Sequence, residues 1–570
     1  RPKKVTVDHF QIWSVYQRET KRKAGTISWI GSYHNSTYYQ QPHYRVPFTE
    51  GVHPNEKLAQ ALEWLKLDDD ERPGLIMAYI VEPDKTGHSY SHMEDMVNEA
   101  VKLVDDAIGR FINNLEAEGI LGCVNIVIVS DHGMTEIKNQ VVLEKLFPID
   151  NMVIAAGTNT LIFKNGSDLT DEQIMGALTC KATDLVRVFN RKTVPLRYHY
   201  SASKRIGDFI VVGNNGTQIY SRAEDVKPNH KGNHGFDYLP KDMHAIMFAR
   251  GPSFKEKTVL PPFHIVEYMN LWTKLLQLSA QNNDGEPDFM NLALISGGGV
   301  QRNYHPSIRK CKMTDDLATK NLRTICGQCN EGDKEIFSKW AECSVGGASE
   351  AISITANTSI FCYMSGCNDM AVIDDTNENS YSATLVEMYE KDKTDVEMMS
   401  SSCTFHLTNQ TQPCHRAAIN ETVEYRGLSA FSGRDILNTL NVYTMEIAQR
   451  FERMLVITGT AYDEDYDGVF SNSMPNSPYP THLFRVHIAC KDKWSTKGYY
   501  CENPEDTTAL TFVFPHMNGD PNCLERNELL FQYIARIKDV ETISGLIFNF
   551  TSLSDVQQML LKTHIAMALW

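Results

Sequence analysis

No apolar run in this 570-residue chain approaches the ~18 residues that a membrane-crossing helix needs. Basic charge is short as well: 55 Lys and Arg stand against 71 Asp and Glu, a formal net charge of −16. A sequence-blind grip on nucleic acid needs a basic face, so that class is excluded. A small phosphate ester held by metal ions is not. Repeats and low-complexity tracts are missing. Cysteine is scarce at first: of thirteen, only Cys123 and Cys180 precede Cys311. The chain opens at Arg1 without an initiator methionine, so the lack of a secretory signal carries no information.

What is present is ordinary globular material, 42% hydrophobic and 22% charged, with length for about two to four domains. The late crowding of cysteines suggests disulfides in an exported protein. Cys326-Gly-Gln-Cys329 has the spacing of half a zinc site, but no second CxxC accompanies it. The odd cysteine total fits either partners lost upstream or one free thiol. Asn-X-Ser/Thr sequons at Asn35, Asn165, Asn215, Asn357, Asn409, Asn420 and Asn549 also favour the secretory pathway.

Up to about residue 295, strand-like runs alternate with amphipathic stretches. The clearest helix is expected over Glu94–Glu118, with Met96, Val97, Val101, Val104, Ile108, Phe111 and Ile112 near a 3.6 period. Tyr268–Leu278 is a second helix candidate. The pattern predicts an α/β sandwich with a mostly parallel sheet over 1–295. A cysteine-containing linker follows over 296–345. An α+β region over 346–570 has strands at Ile352–Thr355 and Leu510–Phe514 and helices near Asn438–Met454 and Glu525–Ile537.

Three clusters of oxygen and imidazole donors lie beside strand-like runs. Gly74–Val81 leads into Asp84-Lys-Thr-Gly-His88. Val124–Val129 leads into Ser130-Asp131-His132. His234-Gly precedes Ala245–Ala249. Taken singly, each also describes a turn with a hydrogen-bonded histidine. Gathered at the carboxyl edge of one parallel sheet, they offer five ligands of the type zinc takes. Two adjacent divalent ions can clamp both oxygens of a phosphoryl displacement.

The wording of these clusters resembles the nucleotide pyrophosphatase/phosphodiesterase family of the alkaline phosphatase superfamily. Glu82–His88 (EPDKTGH), Ser130–Met134 (SDHGM) and Asn233–Asp237 (NHGFD) occur in the family's order. Asp70–Pro73, Gly251–Lys255, Ile265–Met269, Asp463–Gly468, Pro480–Leu483, Lys562–Ile565 and the Cys490/Cys501 pair match too, so the resemblance runs from about Ile12 onward. SDHGM is shared across the superfamily; the full ordered set is specific to this family.

The resemblance implies two zinc ions, one on Asp84, His88 and His234 and a second on Asp131 and His132 plus an aspartate that this chain does not supply. It also implies a threonine nucleophile in a Thr-Phe-Pro-Asn-like segment upstream of Gln11. Thr6, in Lys-Val-Thr-Val-Asp, does not match that segment. The expectation is therefore a family enzyme without its front end, inactive as given. A membrane anchor upstream stays open. In the intact family member, the implied chemistry is two in-line displacements through a covalent nucleotidyl–threonine. The substrates are nucleotide pyrophosphates and diesters, and nucleoside 5′-monophosphates are released.

Trp29, Phe48 and Tyr79 match aromatic pocket positions where a base would stack. A structural calcium is implied at Asp463, Asp465, Asp467 and the Val469 carbonyl, with Ser471 where relatives carry a carboxylate. Residues 346–570 are implied to be nuclease-like and non-catalytic. The location is extracellular, secreted or cell-surface. The rival readings are a metal-binding pseudoenzyme and another hydrolase of the superfamily.

Overall fold

The computed structural model describes residues 11–33, 39–90, 95–181, 184–227, 229–295, 352–356, 360–365, 369–374, 384–390, 435–470, 480–495, 501–517, 519–550 and 552–570. Thr6, Asn35, the 296–345 linker with Cys326 and Cys329, Asn357, Asn409, Asn420 and Ser471 lie outside them. Two compact units form. One draws on described residues of 1–145, 156–159 and 212–302, the other on those of 146–155, 160–211 and 303–570.

In the first unit, helix α1 (Ile12–Thr20) sends Trp13 and Tyr16 into a core cluster with Ala24. Strand β1 (Ala24–Ile27) is buried throughout, as a strand with a parallel neighbour on each side should be. Those neighbours are β2 (Tyr44–Val46) and β3 (Leu75–Ala78), with Gly25 opposite Tyr44 and Thr26 opposite Met77. Helix α2 (Pro54–Leu65) begins at His53, whose Nδ1 accepts from the Asn55 N–H, and Pro54 opens the helix. It lays Ala61 and Trp64 against Ile27.

Helices α3 (Asp84–Tyr90) and α4 (Asp95–Ala117) follow, then β4 (Ile126–Val129), β5 (Thr135–Glu136) and β6 (Asn139–Val142). β6 pairs in parallel with Thr217–Tyr220, whereas β4 pairs antiparallel with Met247–Arg250. The mixed α/β organisation is present, divided among short sheets. The helix expected over Glu94–Glu118 is α4. Val97, Ala107 and Leu115 form its buried line, while Met96 and Val101 are about half exposed.

A four-stranded sheet, nearly all of it in the second unit, is ordered Val153–Ala155, Asn159–Phe163, Phe209–Gly213, Val186–Asn190. Its helix Asp171–Leu178 carries a Thr170/Gln173 capping box. A five-stranded antiparallel sheet runs Thr384–Glu390, Arg453–Ala461, His482–Cys490, Thr507–Pro515, Ile534–Ala535. The central strand His482–Cys490 is buried at every residue.

Two expected boundaries move. The helix near Asn438–Met454 is Asp435–Ala448, and Met454 belongs to the buried strand that follows. The Glu525–Ile537 stretch splits into helix Arg526–Gln532, strand Ile534–Ala535 and helix Ile537–Ser544. Cys490 and Cys501 are disulfide-bonded, and so are Cys180 and Cys523, 343 residues apart. Cys123 is free and exposed. No described helix is long and apolar enough to cross a membrane.

Candidate metal centre

Asp84 opens α3 and His88 stands one turn later, so the i,i+4 spacing puts both side chains on one face. Asp131 and His132 leave the carboxyl end of β4. His234 follows the two-residue strand Gly232–Asn233, which pairs antiparallel with β5 and sets Asn233 opposite Thr135. That short ladder carries the His234 loop to the loop after β4.

Glycine makes the approach feasible. A Cβ on Gly232 would collide with the Gly87 carbonyl oxygen, and one on Gly133 with the Asp242 carbonyl oxygen. The His234 loop is pinned on both sides. The Thr158 hydroxyl donates to the His234 carbonyl at 2.8 Å, and the His234 N–H donates to Asn233 Oδ1 at 2.9 Å.

The three histidines converge on one carboxylate oxygen. His88 Nε2 and His234 Nε2 each lie 3.5 Å from Asp84 Oδ1, and His132 Nε2 lies 4.0 Å from it. His132 Nε2 is also 3.5 Å from Asp131 Oδ1. The His132 and His234 rings stack at 3.4 Å, and His88 sits 5.1 Å from His234. Asp84 Oδ1 itself is buried and has no hydrogen-bond partner.

Leaving a buried carboxylate oxygen unpaired costs several kcal/mol unless something positive sits there. Two nitrogen or oxygen ligands at tetrahedral zinc are roughly 3.3 Å apart, given metal–ligand distances of about 2.0–2.2 Å. The 3.5 Å separations match that spacing and are long for hydrogen bonds. The donor set therefore fits a divalent transition metal. Among the described residues, Asp84, His132 and His234 also stand out as able to share one ion.

Ring-nitrogen partners point the same way. His132 Nδ1 is 2.8 Å from the Gly133 carbonyl oxygen and His88 Nδ1 is 2.9 Å from the Gly232 carbonyl oxygen. A carbonyl only accepts, so each Nδ1 carries a proton, and in the neutral ring each Nε2 is then the nitrogen with the lone pair. Burial, then the neighbouring His132, pushes the His234 pKa down and favours the neutral imidazole that a metal needs.

Of the expected aromatic pocket, Phe48 and Tyr79 come together, with ring centroids 6.5 Å apart. Burial and then the charges of Asp84 and Asp131 raise the Tyr79 pKa, so this wall stands beside the carboxylates. Phe48 is half exposed. Trp29 does something different: it packs against the Trp13, Tyr16 and Ala24 cluster.

Sequence reasoning missed Lys57, whose ammonium donates to the Tyr79 carbonyl at 3.0 Å and lies 5.6 Å from the Phe48 ring. It also missed Thr158 and His230. His230 lies four residues before His234, a spacing that could have flagged it.

A second acidic cluster occupies the other unit. Asp463, Asp465 and Asp467 place carboxylate oxygens within 4.8 Å of one another. Asp463 is buried and accepts from the Asp467 and Gly468 N–H groups, which shapes a tight turn. Burial leads the causes that push its pKa up to about 7, with the Asp467 charge adding to it. Val469 is half exposed.

Comparisons with known proteins agree on one family. Residues 3–237 match the family model described as type I phosphodiesterase/nucleotide pyrophosphatase. An ectonucleotide pyrophosphatase/phosphodiesterase of Caenorhabditis elegans is 29% identical over 98% of this chain and 77% of its own length. Human ectonucleotide pyrophosphatase/phosphodiesterase family member 1 is 26% identical over 95% of this chain and 65% of its own length. A venom phosphodiesterase of Crotalus durissus collilineatus is 25% identical over 92% and 70%, respectively.

Proposed function

We propose that this chain, whose residues 3–237 match the type I phosphodiesterase/nucleotide pyrophosphatase family model and which resembles ectonucleotide pyrophosphatase/phosphodiesterases over nearly its whole length, represents a zinc-dependent hydrolase of nucleotide pyrophosphate and phosphodiester bonds that releases nucleoside 5′-monophosphates. The observation that carries this reading is the convergence of three imidazole Nε2 atoms on the buried, partnerless Asp84 Oδ1. Asp84, His88 and His234 would hold one zinc. Asp131 and His132 would contribute to a second, and His132 faces both carboxylates. Bound there, zinc supplies Lewis acidity toward a phosphoryl oxygen.

The chain's own residues do the rest of the positioning. Phe48 and Tyr79 offer a stacking wall beside the carboxylates, as a nucleobase next to its phosphate requires. Lys57 fixes that wall through the Tyr79 carbonyl. The acidic balance of the chain favours a small phosphate ester over a long polyanion. The Asp463, Asp465 and Asp467 turn, with the Val469 carbonyl, is assigned to a structural calcium.

In this reading residues 1–295 are the phosphodiesterase region and 346–570 the nuclease-like, non-catalytic region. The location is extracellular, in keeping with the two disulfides among the described residues and with the sequons. No segment of the chain matches the Thr-Phe-Pro-Asn-like nucleophile sequence. These 570 residues alone are therefore assigned metal and nucleotide binding without turnover.

Hydrolysis of a nitrophenyl nucleotide ester by the native protein tests the activity. Turnover that is abolished in His234→Ala is expected, with diesters preferred over phosphate monoesters and sulfate esters. A native protein that binds zinc yet hydrolyses none of these would make the pseudoenzyme the better reading.

A further inference from the structure

His230 lies outside the set assigned to either zinc, yet its Nε2 is 3.0 Å from His88 Nδ1 and the two rings are 5.0 Å apart. The same His88 nitrogen is 2.9 Å from the Gly232 carbonyl oxygen. Two residues of one short segment thus bracket a single ring nitrogen. The segment is tied to α3 by its backbone as well, since the Lys231 N–H donates to the His88 carbonyl at 2.9 Å.

The Gly232 carbonyl can only accept, so in the neutral ring His88 carries its hydrogen on Nδ1, and two acceptors together, not the carbonyl alone, hold it there. His230 Nε2 must then present its lone pair to that same hydrogen, and the proton of His230 sits on its Nδ1. His88 Nε2 is left bare, 3.5 Å from Asp84 Oδ1. The partner on a ligating histidine's far nitrogen sets both the tautomer and the ring's orientation.

We propose that His230 is a positioning residue: with the Gly232 carbonyl it holds His88 as the Nδ1–H tautomer and aims His88 Nε2 at Asp84. The functional part of this inference rests on the zinc reading of the site; the tautomer does not. Its chemistry is that of an acceptor, so a residue with a ring but no acceptor should fail and one with an acceptor but no ring should succeed.

His230→Phe keeps an aromatic ring against His88 and removes the acceptor, whereas His230→Gln restores an amide oxygen. The test measures zinc affinity by competition with a chelating dye. It also reads the His88 tautomer in the metal-free chain from ¹⁵N-histidine spectra, assigned by the signals lost in His88→Asn. For His230→Phe we expect about a 10- to 100-fold loss of zinc affinity, the range found for outer-shell partners of ligating histidines. We also expect a mixed His88 tautomer in that variant, and in His230→Gln recovery of both readouts.

The proposal is overturned if His230→Phe binds zinc as the wild type does with its His88 tautomer unchanged. It is equally overturned if Phe and Gln weaken binding alike, because ring packing would then be the cause. A wild-type chain that binds no zinc yet shows the Nδ1–H tautomer, lost in Phe and regained in Gln, would sink the metal reading while upholding the role of His230.

Discussion

Gly235→Ala separates a site held by its loop from a site held only by its ligands. Gly235 follows His234 directly and has φ +86°, where a side chain is strained. A Cβ there would stand 2.9 Å from Thr158 Oγ1, the hydroxyl that holds the His234 carbonyl. The left-handed backbone costs about 1–2 kcal/mol for a residue with a Cβ. Displacing the Thr158 hydroxyl removes a hydrogen bond with a net worth of about 1 kcal/mol. The sum is roughly 2–3 kcal/mol, and the loop sheds it by moving away from the arrangement that points His234 at Asp84. Charged to the competent conformer, that amounts to a 30- to 150-fold rise in the apparent Kd for zinc.

The assay is a competition titration with a chelating dye on the wild type, Gly235→Ala and Thr158→Val. Thr158→Val removes the hydroxyl alone and should lose about fivefold. Gly109→Ala serves as the control. It sits within α4 with nothing within 4 Å of the added Cβ, and should gain about 0.5–1 kcal/mol of stability with zinc affinity unchanged. A natively folded Gly235→Ala that binds zinc within twofold of the wild type would refute the reasoning. The site would then tolerate a moved loop.

Three predictions concern the second unit. His487 is fully buried and its pKa is pushed down to about 3, by burial and then by Arg485. Against an unfolded value near 6.5, the unfolded chain binds the extra proton. The stabilisation is therefore complete above about pH 6.5 and declines as the pH falls toward 3. It costs about 2 kcal/mol between pH 7 and pH 5. Amide exchange on the His482–Cys490 strand should show this decline, and His487→Gln should flatten it. The Cys490–Cys501 bridge closes a loop with a sequence separation of 11. Its removal by paired Cys→Ser substitutions should lower stability by about 3 kcal/mol, seen as a lower Tm. Calcium at about 100 times its Kd should stabilise by about 2.7 kcal/mol in thermal melts, and Asp463→Asn should abolish the gain.

The proposed metal ligands could be picked out because each belongs to a short, local phrase whose residue types have few other uses together. Asp84 with His88, Asp131 with His132, and His234 with Gly235 each sit within five residues. Periodicity placed them beside strand-like runs at one parallel-sheet edge. In the structure Asp131 and His132 follow β4, Asp84 and His88 stand in α3, and His234 follows Gly232–Asn233. β3, β4 and Gly232–Asn233 lie in three separate sheets. How their side chains meet was less legible. His132 faces Asp84 as well as Asp131, and His230 reaches His88 from 142 residues away. Such pairings depend on where loops land, and spacing within one phrase says nothing about that.

The same reason explains the moved boundary at Met454. The helical period runs on through the Ala448 region, but Met454–Ala461 is buried at every residue within a strand that pairs on both of its sides. Tertiary neighbours decided that segment, as they do wherever propensity is close to balanced.

The second unit makes the point most sharply. Its early segment is joined to its late one by Cys180–Cys523 and by Asn522, whose side chain bonds the Val188 backbone through both its oxygen and its nitrogen. His199 Nε2 likewise sits 2.9 Å from Asp539, a buried carboxylate that also pairs with Arg536. These partners are more than 330 residues apart in the chain. A reading by composition and period assigns such residues to their sequence neighbours, because the only signal of the pairing is the complementarity of side chains that meet after folding. Asn522→Ala therefore tests the long-range join. It should leave two buried backbone groups of Val188 unpaired, cost about 2–3 kcal/mol, and raise amide exchange at Val188 without touching zinc affinity in the first unit.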